Sequence, residues 1–90
     1  MNYYAVLMPV HDPAKSASLL PEHLQYIATM VADSRIFAKG RFADGSGSLV
    51  IYKANSLEEA QKLASNDPYI IHRARGLEIH EWLINPKPAE

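Results

Sequence analysis

The chain has 90 residues, of which 48% are hydrophobic, and its formal net charge is −1. This length and composition predict one small globular domain rather than a disordered segment. The small net charge and the scattered basic residues give no electrostatic reason to expect a nucleic-acid partner. The chain has no cysteine, which excludes disulfides, thiolate metal ligands and cysteine nucleophiles.

No run of apolar residues approaches the ~18 that a membrane-spanning helix needs. The N-terminal residues also lack the basic and apolar segments of a targeting peptide. We therefore expect no membrane association and a cytoplasmic location, which agrees with the absence of cysteine.

Residues 2–10 predict the first strand, because this apolar and aromatic run is short and favours β structure. A strand in a half-solvated sheet would alternate with polar residues, so this strand requires cover on both sides. Pro9 has no N–H to donate to a neighbouring strand, which predicts that pairing ends there. The two faces are both apolar, with Tyr4, Val6 and Met8 on one and Tyr3, Ala5 and Leu7 on the other.

A loop over residues 11–20 is predicted to precede the first helix, which covers residues 21–32. Pro21 suits the first helical turn, and Glu22 suits the positive end of the helix dipole. Apolar residues at helical spacing predict the buried stripe of this helix, namely Leu24, Ile27, Ala28 and Val31.

The next two strands are predicted over residues 35–38 and 48–53, with a glycine-rich, hairpin-like connection that contains Asp44. A second helix follows Ser56, whose spacing to Glu59 is that of a capping box.

Asp67 before Pro68 is the pattern of a helix N-cap, so a short helical turn is expected there. The last strand is predicted over residues 77–84. Residues 85–90, with two prolines, are expected to form a flexible C-terminal tail.

The order β-α-β-β-α-β within residues 1–84 predicts a single α+β domain with the split βαβ, or ferredoxin-like, arrangement. Right-handed crossovers place two helices on one face of a four-stranded antiparallel sheet. The other face is then bare, although its strands carry more apolar surface than a soluble monomer usually exposes. A second copy packed by two-fold symmetry would cover it, which predicts a homodimer. The alternative is cover by long side chains or a terminal segment of the same chain.

His23 is the first candidate for chemistry. It lies near the N-terminus of the first predicted helix, at the flank of the apolar stripe, where the helix dipole disfavours a protonated imidazole. The neutral imidazole is the form that a general base needs. The alternative is a structural histidine that bonds a backbone carbonyl.

Two aspartates are further candidates, and each also has a structural explanation. Asp67 is explained as a helix cap, but a capping carboxylate is held rigidly enough to orient an imidazole or a substrate. Asp44 is explained as a turn residue. No histidine pair has metal-site spacing, and no phosphate-binding glycine loop or serine elbow occurs. We expect neither a metal nor a cofactor.

Seven short motifs lie along the chain in a characteristic order. They are the N-terminal Tyr-Tyr, Pro-Glu-His-Leu (residues 21–24), Ala-Lys-Gly (38–40), Ala-Asp-Gly (43–45), Ser-Leu-Glu-Glu-Ala (56–60), Asn-Asp-Pro-Tyr (66–69) and Glu-Ile-His-Glu-Trp (78–82). With these motifs, residues 2–82 resemble the YCII-related (YciI-like) domain family.

The resemblance implies a ferredoxin-like dimer of the dimeric α/β barrel type, with a pocket between sheet and helices. It also implies a histidine–aspartate pair for acid–base chemistry. The histidine corresponds to His23, and the aspartate to Asp67 or, as second choice, Asp44. Tyr69 of the Asp-Pro-Tyr motif and Asp44 become candidate substrate-binding residues. Members of the family with a known activity act on small cyclic organic compounds, for example in dehydrochlorination.

One departure from the family pattern bears on the ligand. Where members often have Gly-Pro, this chain has Gly40-Arg41. Arg41 places a cation near the implied pocket mouth, where it either favours an anionic ligand or points into solvent.

Three functions fit this reading. The first is a cofactor-independent enzyme of lyase or isomerase type, in which His23 and an aspartate act on a small anionic or cyclic organic substrate. The second is a non-catalytic protein that binds an unknown small molecule. The third is cofactor-free oxidation of an aromatic compound, for which no specific feature is present.

Overall fold

The structure is a computed structural model that describes residues 1–89. The strands adjoin in the order β2-β3-β1-β4, and every neighbouring pair is antiparallel. This is the predicted ferredoxin-like α+β arrangement. The elements are β1 (Asn2–Pro9), α1 (Pro13–Ser18), α2 (Leu20–Ala32), β2 (Ile36–Arg41), β3 (Gly47–Ala54), α3 (Leu57–Ser65), α4 (Pro68–Ile71) and β4 (Glu78–Trp82).

The core lies between the sheet and the two longer helices. Cross-strand partners share a face of the sheet, and the pairs Val6–Val50 and Tyr4–Tyr52 place one parity of β1 and β3 toward the helices. Burial of these side chains and of the apolar rows of α2 and α3 holds the helices on the sheet. The buried core residues on this side are Tyr4, Val6, Met8, Ile27, Met30, Val50, Tyr52, Ala54, Ala60 and Ala64.

The segment over residues 11–20 is not the predicted loop, because it contains helix α1. Asp12 caps this helix, its side chain accepting a hydrogen bond from the Lys15 backbone N–H at 3.0 Å, and Pro13 occupies the first turn. The Asp-Pro pair at residues 12–13 is the same signal that predicted a turn at residues 67–68. Helix α1 forms one wall of the pocket described below.

The buried row of α2 also differs from the predicted stripe. Its buried residues are His23, Ile27 and Met30, at the i, i+4, i+7 spacing of one helix face. The predicted Leu24 and Val31 are instead about half exposed, at 51% and 48%. The histidine therefore occupies a core position rather than the flank of the stripe.

Strand β2 extends to Arg41, beyond its predicted end at residue 38, whereas β4 is shorter than predicted. The extension pairs Lys39 with Val50 and Arg41 with Ser48, on the face that carries the helices. Both cations are thereby brought to the helix side of the sheet.

The opposite face of the sheet is apolar, as predicted from β1. Tyr3 and Ile51 are buried on it, each 4% exposed, while Phe37 and Trp82 are nearly half exposed. The Phe37 ring meets Tyr3 edge-on, with ring centroids 5.5 Å apart. This open sheet face is Tyr3, Ala5 and Leu7 of β1, Leu49 and Ile51 of β3, Phe37 of β2 and Trp82 of β4. Over residues 1–89, no helix has the length and apolar character needed to span a membrane.

Candidate active site

His23 and Asp67, 44 positions apart in sequence, meet beneath the helices. The Nδ1 atom of His23 lies 2.9 Å from Oδ1 and 2.8 Å from Oδ2 of Asp67. Asp67 is completely buried, and His23 is 8% exposed. The expected alternative, a bond from His23 to a backbone carbonyl, is replaced by a bond to a carboxylate.

The local fold fixes the Asp67 carboxylate by capping α4. Oδ1 of Asp67 accepts a hydrogen bond from the Tyr69 backbone N–H at 2.9 Å, and Pro68 fills the first position of α4. One residue thus satisfies the helix end and holds the imidazole. The capping role does not compete with the histidine contact, because the two carboxylate oxygens offer about four acceptor sites.

The hydrogen bond defines which nitrogen of His23 is free. A carboxylate accepts, so Nδ1 of His23 donates, and the neutral ring then has its acceptor lone pair on Nε2. His23 also lines a pocket between the helices and the sheet. The imidazole therefore borders a space of small-molecule size.

Two phenols, those of Tyr26 and Tyr52, lie close enough to Asp67 to sense its negative charge. Tyr26 donates its hydroxyl to the Leu63 carbonyl at 2.6 Å, and burial, followed by the negative charge of Asp67, raises the pKa of Tyr26. The Tyr52 hydroxyl is buried and has no hydrogen-bond partner among the described residues, and burial raises the pKa of Tyr52 as well. Neutral phenols and apolar side chains make the surroundings of Asp67 a region of low polarity. The hydrogen bond between Asp67 and His23 is stronger there than it would be in water.

The pocket has a volume of about 570 Å³, within the range of small-molecule sites. It lies between the helices and the sheet, with walls from α1, α2, β2 and β3. Apolar atoms make up most of the lining surface, although nine of the lining residues are not apolar ones. The apolar lining residues are Val10, Pro13, Ala17, Leu20, Leu24, Ile27 and Val50, and the others are Ser16, His23, Lys39, Gly40, Arg41, Gly45, Ser48, Tyr69 and Arg75.

Tyr69 connects the histidine to an arginine that no sequence motif marks. The Tyr69 ring stacks on His23, with centroids 4.0 Å apart and planes 19° apart. The guanidinium carbon of Arg75 lies 4.2 Å from the Tyr69 centroid. Arg75 follows α4, and its backbone bridges to Val10 after β1, a long-range pairing that no local pattern reveals.

Two buried serines hold the Arg75 side chain. Nε of Arg75 donates to Ser16 Oγ and Nη1 donates to Ser48 Oγ, both at 3.0 Å. Ser16 belongs to α1, which was predicted as a loop, and Ser48 belongs to β3. Neither serine could be singled out from sequence, because their role exists only when α1, β3 and Arg75 come together.

The remaining predicted substrate-binding residues divide into two groups. Tyr69 and Arg41 line the pocket, and Arg41 is exposed. Asp44 lies in the β2–β3 turn, outside the pocket lining, and its Oδ1 accepts from the Ser46 backbone N–H at 2.9 Å. Hydrogen bonds from the Ser46 side chain and backbone hold the pKa of the Asp44 carboxyl below its usual value. The structure brings Asp67, and not Asp44, to His23.

No group of three or more histidine, aspartate or glutamate side chains that could hold a metal ion occurs within residues 1–89. The polar side-chain groups around the pocket are hydroxyl, imidazole, ammonium and guanidinium groups. Hydrogen-bond donors predominate in this set, and the Nε2 atom of His23 is its one basic nitrogen acceptor.

Together, the fold and the site define a ferredoxin-like α+β protein with a small-molecule pocket and a buried histidine–aspartate pair. The chain belongs to the YCII-related domain family, whose model matches residues 1–82. It is also 32% identical over 60 residues to "Uncharacterized protein YjpA" of Bacillus subtilis (strain 168), a match that covers 67% of this chain and 71% of that protein. These findings confirm the family resemblance.

A solved structure shares the fold. It is 5-chloro-2-hydroxyhydroquinone dehydrochlorinase (TftG) from Burkholderia phenoliruptrix AC1100, in complex with 2,5-dihydroxybenzoquinone. The superposition has a TM-score of 0.75 and covers 89% of this chain and 92% of that one, at 17% sequence identity. At this identity, the likeness concerns the fold.

Proposed function

We propose that this protein is a cofactor-independent enzyme in which His23 is the general acid–base and Asp67 orients it. The observation that carries the proposal is the buried hydrogen bond between Nδ1 of His23 and Asp67, at the wall of a pocket sized for a small molecule. A carboxylate in this position fixes the imidazole tautomer and stabilises the imidazolium that forms when Nε2 takes a proton. The reaction type is that of a lyase or an isomerase.

The chemistry needs only one proton acceptor. Nε2 of His23 removes a proton from a carbon next to a carbonyl group, and the electron pair of the C–H bond moves into an enolate. In an isomerase, the imidazolium returns that proton to another carbon. In a lyase, the electron pair expels a leaving group from the adjacent carbon and forms a double bond. The apolar lining keeps bulk water from the imidazole during these steps.

The structural relative supports this class of reaction. Its name describes a dehydrochlorinase, and its ligand is a small cyclic quinone. Loss of hydrogen chloride is an elimination of the kind described above. For the present chain we therefore propose small cyclic organic substrates.

We also propose that the working form is a homodimer of the dimeric α/β barrel type. The support is the open sheet face, where six aromatic or branched side chains lie on neighbouring strands. A two-fold contact on this face leaves the pocket accessible, because the pocket lies on the helix side. Sedimentation of the wild-type protein should give twice the mass of one 10.1 kDa chain. Phe37→Asp should give the monomer, whereas Val31→Asp, a change at a similarly exposed position on α2, should not.

Proton exchange tests the catalytic proposal directly. A panel of small cyclic ketones, lactones and quinols is incubated in D2O with the protein, and proton NMR follows deuterium uptake at carbon. We expect catalysed uptake with at least one compound and a loss of about 10²–10⁴-fold in rate for His23→Gln. Circular dichroism should show that His23→Gln keeps the fold.

The non-catalytic alternative predicts different results. Ligands would then raise the melting temperature of wild type and His23→Gln alike, with no exchange or turnover in either protein. Uptake that is equal in wild type and His23→Gln would also contradict the proposal, because it would assign the exchange to another group or to the buffer.

A further inference from the structure

We propose that Arg75, held by Ser16 and Ser48, is an anion-binding residue of the pocket, so that its ligands are small ring compounds that carry an oxyanion such as a carboxylate. The inference rests on the proposed function, since it names the substrate class of the same site.

The first argument is the preorganised guanidinium. Nε and Nη1 of Arg75 donate to the two serine oxygens, and the Tyr69 ring supports the flat face of the group. A guanidinium has five N–H donors, so three remain for a ligand. An arginine fixed on three sides loses little rotamer freedom when it binds an oxyanion.

The serines strengthen this arrangement. Ser16 and Ser48 are buried and accept from Arg75, which leaves each hydroxyl hydrogen able to donate. Neither hydroxyl donates to another group of the described chain. The result is a cluster of N–H and O–H donors at a pocket wall, which is suited to an acceptor-only partner such as a carboxylate.

The second argument is the missing counter-charge. Lys39, Arg41 and Arg75 all line the pocket, and no aspartate or glutamate does. None of these three cations forms an ion pair within residues 1–89. A half-buried guanidinium usually has a carboxylate partner, because desolvation of an unpaired charge is costly. In this pocket, an anionic ligand would supply the negative charge that pairs with Arg75.

The third argument is the position of Arg75 relative to His23. The imidazole and the guanidinium both pack on the Tyr69 ring, with the imidazole centroid 4.0 Å and the guanidinium carbon 4.2 Å from the ring centroid. The distance between the imidazole centroid and the guanidinium carbon is therefore at most the sum of these two distances. This separation is short enough for one small ring compound to place its acidic substituent at Arg75 and a reacting carbon near His23.

Matched acids and amides test the inference. Titration calorimetry compares benzoate with benzamide, and cyclohexanecarboxylate with its amide, which differ in charge but hardly in shape. We expect wild type to bind the acids roughly 10–100-fold more tightly than the amides. Arg75→Met keeps the side-chain length and should abolish this preference. Arg73→Met, a change at an exposed position in the same segment, should retain it.

An NMR measurement on the wild-type protein guards against a variant that does not fold. Addition of benzoate should shift the Nε–Hε resonance of Arg75, and benzamide should not. Three results would overturn the inference: equal affinity for acids and amides, no binding of any acid at millimolar concentration, or loss of the preference in Arg41→Met instead of Arg75→Met.

The inference and the proposed function fail in different ways. His23→Gln should keep the preference for benzoate over benzamide, because this preference comes from the charge of Arg75 and not from the imidazole. Selective binding of acids without any proton exchange would support the anion site and contradict the proposed catalysis. Proton exchange without a preference for acids would support the proposed catalysis and contradict the anion site.

Discussion

The molecule contains two Asp-Pro pairs that begin short helices, and the carboxylates of the two aspartates differ in their hydrogen bonds and burial. Asp12 caps α1, and within residues 1–89 its carboxylate accepts a hydrogen bond only from the Lys15 backbone N–H. Asp67 caps α4 in the same way through the Tyr69 backbone N–H, and it also accepts the imidazole of His23. Asp12 is partly exposed, whereas Asp67 is completely buried.

The comparison shows that the capping motif supplies an oriented carboxylate, but it does not decide what the carboxylate does. The surroundings decide this. Around Asp67, apolar burial and two neutral phenols lower the polarity, and α2 places a histidine at a core position. Asp12 lies at the surface end of α1, where water competes for the same bonds.

The largest effect is expected on catalysis. Asp67→Asn keeps an acceptor for the Tyr69 N–H, but it removes the charge and can present an N–H to the imidazole, which favours the wrong tautomer. We expect the rate of proton exchange to fall about 10²–10⁴-fold. Asp12→Asn is the matched control and should keep the wild-type rate. Equal rates in the two variants would show that Asp67 is only a helix cap.

The two aspartates should also differ in stability. Asp67→Ala removes a cap and leaves the Nδ1 donor of His23 unpaired, so we expect a loss of about 2–4 kcal/mol in the free energy of unfolding. Asp12→Ala removes a cap alone and should cost about 1 kcal/mol. Urea denaturation followed by circular dichroism measures both changes. A cost for Asp12→Ala as large as that for Asp67→Ala would mean that the buried histidine bond adds nothing to stability.

The fold was largely predictable because its signals are local. Alternating apolar faces, the Ser56 capping box and the turn glycines are read within a few residues, and their order predicts the topology. Helix α1 was missed although Asp12-Pro13 is present, because the polar and small residues after it have no helical apolar row. The buried row of α2 was misplaced because apolar residues occur on two sides of this helix.

The site was predictable only in part. His23 and Asp67 were candidates individually, and the family resemblance implied the pair, but their contact depends on how α2 packs against the start of α4. Arg75, Ser16 and Ser48 come from three separate segments, and each residue type is ordinary where it occurs. Such a cluster is a product of tertiary packing, so no spacing rule finds it.

The smallest effect concerns the phenols that distinguish the surroundings of Asp67. Tyr52→Phe removes a buried hydroxyl without a partner in the described chain, so the free energy of unfolding at pH 7 should stay within about 0.5 kcal/mol of wild type. Tyr26→Phe is the control and should cost about 1 kcal/mol, because it removes the hydrogen bond to the Leu63 carbonyl.

Alkaline pH sharpens the same test. Burial raises the pKa of both phenols in the folded protein, whereas the unfolded chain ionises them near pH 10. Above about pH 10 the folded state therefore binds more protons than the unfolded state, and stability falls as the pH rises. Tyr52→Phe should make this decline shallower in urea denaturation between pH 9 and about 11. A contrary result would be a Tyr52→Phe variant that is less stable than Tyr26→Phe at pH 7. It would mean that the Tyr52 hydroxyl bonds a water molecule near Asp67, so that the surroundings of the carboxylate are hydrated.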